Sequence, residues 1–453
     1  MSSMYSVGKD SYLSYEHPNK RYSLINIFLC AVLFPFVSPF PIETDTQPVA
    51  FIIASLILMT SAVKGEKFTY QEIFILILPV LGLLYINPLV LDSNSIPIPI
   101  GKYLSLLTGS VVYVAARRSF HRFSPKVFYC SIVVYFVFSI LLMIAPGIFF
   151  DIQALVVRAV NTAGEENPFG YRGIPTLSTE PGLFGGLLVF QFLMLEYFER
   201  EGKIIRQRYW CIVAMLFFMV LATKSGTGYL YFILYAVYLT FRQRHGLLKL
   251  TFVVSLLVLL VSTLGSSLSS SSDLGRGFQI VIGILSQPEI LMADTSTIGR
   301  LYDFFLGFVS LVDFPFGNGV NGVADATLAL SDTHLFIRNY YGVSSIGLVS
   351  GLAWCFVAYG VFALFYFFYI YIKTTSAPIG ARIFSLIFLS FSYSPAFPGI
   401  WVLLAIPGER KVHSNRSSRS RAKKIPPKVV RPHQFCGDYV HNNAVCKASS
   451  LSL

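Results

Sequence analysis

With 453 residues, 54% of them hydrophobic and only 13% charged, at a mean hydropathy of +0.64, the chain lies outside the composition of soluble globular domains. Its formal net charge of +12 suggests a nucleic-acid partner only until it is divided along the chain: from Glu409 onward ten Lys or Arg stand against two acids, so +8 of the +12 belongs to the tail. These values point to a polytopic membrane protein with a basic, disordered cytoplasmic tail near anionic headgroups, and away from a nucleic-acid-binding protein.

A polar stretch, 1–23, precedes the first apolar run, which has no small-residue cleavage pattern behind it, so it reads as a cytoplasmic segment before a retained span. Apolar blocks follow at 24–40, 48–63, 72–91, 101–116, 127–150, 180–198, 209–222, 227–241 and 247–265, nine spans in a membrane domain covering 24–265. The connections "KGEK" (64–67), "RRSFHRFSPK" (117–126), "REGKIIRQR" (200–208) and "RQRHGLLK" (242–249) alternate with "IETDTQ" (42–47) and "DSNSIPIPIG" (92–101). Lys and Arg mark cytoplasmic loops, so the basic set faces inward and the other set outward. The same rule places 151–179, the link "TKSGTG" (223–228) and the long insert 266–343 outside.

Two further blocks, 344–372 and 380–406, complete the membrane domain at 344–407. A break at "SPAFPG" (394–399) divides the last block into two short crossings and returns the tail, 408–453, to the cytoplasm; each half is short for a full crossing, so a re-entrant pair is the alternative. The expected fold is all-α, with about twelve transmembrane helices, or eleven if the last block crosses once, and a long helical extracytoplasmic insert.

No Asp, Glu or Arg falls at a probable midplane and no matching halves appear, which argues against an ion-coupled carrier. The six cysteines are scattered and imply no disulfide framework. In the tail, His433, Cys436, His441 and Cys446 fit no usual zinc spacing, so no metal is expected.

Polar chemistry concentrates on the outer side. The insert starts with the Ser-rich "SSLSSSSDLGRG" and the short apolar "GFQIVIGILSQPEI", then turns amphipathic. On a helix over 298–312, Ile298, Leu301, Phe305, Phe308 and Val312 share one side, and Arg300, Asp303, Gly307 and Ser310 the other. "FPFGNGVNG" (314–322) ends it. By itself Arg300 reads as an i,i+3 partner of Asp303 on a solvated face. Arg172, in "NPFGYRGIPTLSTEPGLFGG", gives it company: it precedes a span capped by Ser178 or Thr179, with Pro181 in the first turn, whose amino end points outward. An arginine beside free helix N–H groups suits an anion. Glu180 is either a dipole-favoured first-turn acid or a base, His334 either an interfacial polar residue or a base, and Lys224 either a headgroup snorkeller or an auxiliary cation.

In this order and sidedness the motifs resemble the O-antigen ligase and polymerase superfamily, the Wzy and WaaL type of bacterial membrane glycosyltransferase. Arg172, the "KSGTG" of 224–228, "GRLYDFF" with "FPFGNGVNG", and "THLFIRNYYGVSSIGL" carry the likeness over about 170–350. "STEP" at 178–181 looks more like the polymerases than the ligases. The resemblance implies a metal-independent enzyme without cofactor in the bacterial inner membrane, its site on the outer face. It would transfer a glycan from undecaprenyl pyrophosphate to an acceptor sugar hydroxyl, among membrane lipids and beside a flippase and a chain-length regulator of the same pathway. In that reading Arg172, Arg300 and Lys224 bind the pyrophosphate, His334 is the catalytic base with Glu180 as its rival, and Tyr340 or Tyr341 stacks on sugar. A ligase acting on lipid A core is the alternative within the family, and a lipid-linked oligosaccharide flippase the alternative of another class.

Overall fold

A computed structural model describes residues 20–37, 48–86, 104–157, 173–242, 295–320, 322–334, 348 and 350–408. The span expected at 247–265, the Ser-rich approach of the insert and the basic tail lie outside these residues. Among the described residues the chain forms fifteen α-helices and one 3-10 turn, with a single antiparallel bridge, Val37 to Val157, and no strand.

The first helices are α1 (Lys20–Leu33), α2 (Val49–Val63), α3 (Tyr70–Ile86) and α4 (Ser105–Ser119). A capping box opens α3, where the Thr69 N–H donates to Glu72 Oε2 at 2.9 Å and the Glu72 N–H to Thr69 Oγ1 at 3.3 Å. Prolines start α5 (Pro125–Ile144), α6 (Pro146–Val156) and α7 (Pro181–Arg200), at a position where the missing N–H costs nothing. The expected block 127–150 is thus two helices, broken at Ala145 because Pro146 cannot continue the hydrogen-bond ladder.

Helices α5 and α7, of 20 residues each, are long and apolar enough to cross a membrane. They differ in surroundings: α7 is the mostly buried centre of the bundle, whereas α5 exposes Val134, Val137 and Met143. Large apolar side chains also face outward from α2 (Ile52, Met59) and α3 (Ile77, Leu81).

Basic connections gather at one end of the bundle. Arg118 holds Glu72 through two hydrogen bonds of 3.1 and 2.8 Å, donates to the Lys67 carbonyl at 2.8 Å and lies 3.9 Å over the Phe68 ring. Lys203 Nζ donates to the His121 carbonyl at 3.0 Å, and Arg200 Nη2 to the Pro407 carbonyl at 3.0 Å. "KGEK", "RRSFHRFSPK" and the start of "REGKIIRQR" therefore meet.

The later elements are α8 (Arg206–Ala222), α9 (Gly226–Arg242), α10 (Thr295–Asp313), α11 (Val323–Thr333), α12 (Gly351–Tyr359), α13 (Val361–Lys373), α14 (Ile379–Phe391) and α15 (Pro398–Ala405). Two expectations are corrected here. The block 344–372 is not one helix: Gly360, at φ +56°, separates α12 from α13. The turn after α10 docks on that break, with the Asn318 and Gly319 N–H groups donating to the Val357 and Ala358 carbonyls at 2.9 Å each, and the Val361 N–H to Pro315 O at 2.8 Å. The second concerns 380–406. It does break, at Ser392–Phe397, but α14 has 13 residues and α15 has 8, about 20 and 12 Å at 1.5 Å per residue, too short for two crossings of about 30 Å. Both outer ends lie near Arg200 and Arg242, since Arg200 holds Pro407 and Gly380 packs on the Tyr238 ring. The pair is a hairpin entering and leaving at one end.

Candidate functional site

At the opposite end of α7 from Arg200, three elements converge. A Cβ built on Gly185 would stand 2.3 Å from the Cα of Gly228, so α7 and α9 cross at backbone contact near their amino ends. A Cβ on Gly182 would lie 3.4 Å from Ser225 Oγ and 3.6 Å from Arg300 Nη2. Two helix amino ends, each with N–H groups that no carbonyl of their own helix can take, therefore flank one guanidinium.

Arg300 is 7% exposed. Its Nη1 donates to Thr227 Oγ1 at 2.9 Å, and its Nη2 stands 3.7 Å from Glu180 Oε2, the partly exposed carboxylate at the rim. The structure thus brings Arg300 and Glu180 together. Glu180 itself is the N-cap of α7; Ser178, one of the two caps expected, donates its hydroxyl to the Glu180 carbonyl at 3.3 Å.

The faces of α10 divide as the spacing predicts, but the solvent logic is reversed. Arg300 at 7% and Asp303 at 2% are buried with Ser310, while Phe305 at 54% and Val312 at 79% point away from the protein. Arg300 is not on a solvated face. Asp303 accepts the Ser350 N–H at 3.3 Å, at the start of α12, where a carboxylate favours the positive end of the helix. A helix with polar atoms inward and phenylalanines outward suits an apolar medium, not water.

The loop before α7 is fixed from below. Gln153 of α6 donates to the Thr176 carbonyl at 2.5 Å and to the Ser178 carbonyl at 3.3 Å. The Ile174 N–H donates to Ala222 O at 3.2 Å, tying the loop to the end of α8. Among the described residues the two non-glycines at positive φ, Thr176 (52°) and Lys224 (44°), stand in this loop and in the link that leads into α9. Such strain persists where surrounding contacts over-determine the backbone.

Lys224 is half-buried in that link, and a Cβ on Gly173 would lie 2.8 Å from the Lys224 Cβ. Arg172, the residue before Gly173, lies outside the described residues, as do Tyr340 and Tyr341.

His334 is elsewhere. Its Nε2 meets Asp313 Oδ2 at 2.8 Å, and Asp313 ends α10, thirteen residues beyond Arg300. At 1.5 Å and 100° per residue that is about 20 Å along the helix and on a different face. The structure therefore does not bring His334 beside Arg300. Asp313 and Thr227 carry only faint sequence signals, an acid closing an amphipathic helix and a hydroxyl between two glycines.

No family model, curated protein or solved structure matches the chain.

Proposed function

We propose that the chain is a multi-pass membrane glycosyltransferase that polymerises lipid-linked oligosaccharide repeat units, with its reaction on the outer face of the bacterial cytoplasmic membrane. The observation that carries this reading is the buried Arg300 guanidinium held between the amino ends of α7 and α9 with Glu180 at its rim. The order of motifs around Arg172, Lys224, Arg300 and "FPFGNGVNG" supports it. So do the apolar exterior and the reversed polarity of α10, which fit a protein immersed in lipid; in this reading α14 and α15 form a re-entrant hairpin among the spans.

The chemistry follows from the groups present. An acceptor sugar hydroxyl attacks the anomeric carbon of the donor, the bond from that carbon to the pyrophosphate oxygen breaks, and one displacement inverts the centre. The departing pyrophosphate gains charge, which a guanidinium meets with forked, charge-assisted hydrogen bonds and the two helix ends with their N–H groups. Glu180 takes the acceptor's proton, His334 being too distant. Because the same guanidinium faces both groups, neutralising Glu180 leaves the full Arg300 charge for the leaving group. Arg172 and Lys224 supply further positive charge.

The test is direct. Purified protein incubated with a lipid-linked repeat unit forms longer lipid-linked chains, and Arg300→Lys inserts and folds but loses most of that product, since a point charge replaces the fork. Full activity of Arg300→Lys would remove the residue from the mechanism.

A further inference from the structure

A pocket at the basic end of the bundle, about 27 Å along α7 from the Gly182 level, plays no part in the reaction proposed above. It opens between the last turns of α7 and α9 and the open end of the α14–α15 hairpin. Its polar wall carries two guanidiniums, Arg200 and Arg242, with one carboxylate, Glu196, and the Tyr238 hydroxyl.

Glu196 is engaged within the protein at both oxygens: the Tyr235 hydroxyl donates to Oε1 at 2.6 Å, and Arg242 Nη1 donates to Oε2. Arg242 Nη1 also donates to the Tyr238 hydroxyl at 3.4 Å. The carboxylate and the phenol thus aim Arg242, while the Pro407 carbonyl and the Tyr197 ring, 5.8 Å from the guanidinium, aim Arg200. Both arginines end their helices, where a cation meets the negative end of the dipole. That accounts for each charge by itself. It does not account for two of them lining one pocket with a single acid, which leaves a surplus of one positive charge.

The other wall is apolar, formed by Leu193, Pro378, Ala381 and Ile406. From it Ile379, Ile383 and Leu386, at i, i+4 and i+7, carry an exposed apolar stripe along α14. A free anion needs only the charges; an anion attached to hydrocarbon uses both walls.

We propose that this pocket binds the phosphodiester of an anionic phospholipid from the cytoplasmic leaflet, with Arg200 and Arg242 on its oxygens and its acyl chains along Ile379, Ile383 and Leu386. Guanidinium forks match phosphate oxygens, and the positive-inside bias turns this basic end to the cytoplasm, where pockets between helices take such head groups. A zwitterionic head group fits less well, because the Glu196 oxygens are already engaged and offer no seat to an ammonium. The bound phosphate ties α7 and α9 together at the open end of the hairpin and so stabilises the bundle. This rests on the chain being a membrane protein with this end inward, and not on glycosyl transfer.

The full-length protein in a neutral detergent, titrated with phosphatidylglycerol, phosphatidylcholine or inorganic phosphate, tests this by melting temperature and native mass spectrometry. Phosphatidylglycerol stays bound and raises the melting temperature by several degrees; the other two do neither. Arg200→Gln, at a half-buried helix end, folds and weakens phosphatidylglycerol binding about tenfold, roughly the worth of one hydrogen bond to a charged group. Arg200→Lys keeps the charge without the fork and weakens binding several-fold; it is read in place of Arg200→Gln should that variant not fold. Arg208→Gln, which removes an exposed arginine of the same basic end outside the pocket, leaves binding as in wild type. Equal binding of the two lipids, a shift with inorganic phosphate as large as with phosphatidylglycerol, or the same affinity in the Arg200 variant as in Arg208→Gln overturns the proposal. None of these outcomes bears on transfer at the outer face, which is read by product formation.

Discussion

Gly185 and Gly228 face each other with no side chain between α7 and α9, and the Arg300 pocket sits on that crossing. The atom a new methyl would meet is backbone, which cannot swing aside. Gly185→Ala therefore forces the helices apart and draws Thr227 away from Arg300. An overpacked buried contact of this kind costs about 1–3 kcal/mol. The expected result is a lower melting temperature in detergent together with lost transferase activity; a normal melting curve with normal product would mean that the close crossing is not needed.

Glu180 and His334 can be separated by substitution, because Glu180 meets α10 at Arg300 and His334 meets it at Asp313. Glu180→Gln keeps the shape at the rim but cannot take a proton, so the chain-length ladder should disappear, with activity down at least a hundredfold. His334→Ala should leave the ladder recognisable. Should His334→Ala abolish the product and Glu180→Gln preserve it, the base lies at the Asp313 end and the site needs a different assembly.

Much of this architecture is legible in the residues. Prolines 125, 146, 181 and 398 each begin a helix, and the alternation of basic connections anticipates which loops gather around Arg118, Lys203 and Arg200. The amphipathic division of α10 is readable from spacing alone. Which face is buried is not, because spacing alone does not say which stripe packs inward. The break at Gly360 was hidden in a continuous apolar run, where one glycine among aromatics gives little warning. Sequence order groups His334 with Arg300 because it carries no distance; the run of α10 sets Arg300 and the Asp313 partner of His334 about 20 Å apart.

The hairpin of α14 and α15 makes a topology prediction. Ser376 and Gly408 touch, since a Cβ on Gly408 would come within 1.8 Å of the Ser376 carbonyl, and Arg118 ties Glu66 to the same basic end through a 3.6 Å ion pair. In a background lacking the six native cysteines, Glu66→Cys and Ser376→Cys should react with a membrane-impermeant maleimide only from the cytoplasmic side. Thr179→Cys should react from the outer side. Labelling of positions 376 and 179 from one common side would rule out the hairpin reading.

Gly360 is where the turn after α10 locks into the bundle. Its φ of +56° with ψ of −139° belongs to glycine, and a Cβ there would stand 2.2 Å from the Pro315 carbonyl and 2.5 Å from the Gly317 amide nitrogen. Gly360→Ala must therefore both strain its own backbone and push out the turn 315–319, breaking the three backbone hydrogen bonds made by Asn318, Gly319 and Val361. The combined cost should be about 3 kcal/mol or more. Hydrogen exchange separates this from general destabilisation: the amides of Asn318, Gly319 and Val361 should lose protection first, while those in the middle of α7 keep theirs. If all exchange together, the turn is no independent latch, and the position of α10 depends instead on its contacts with α12 at Gly307 and Ala353.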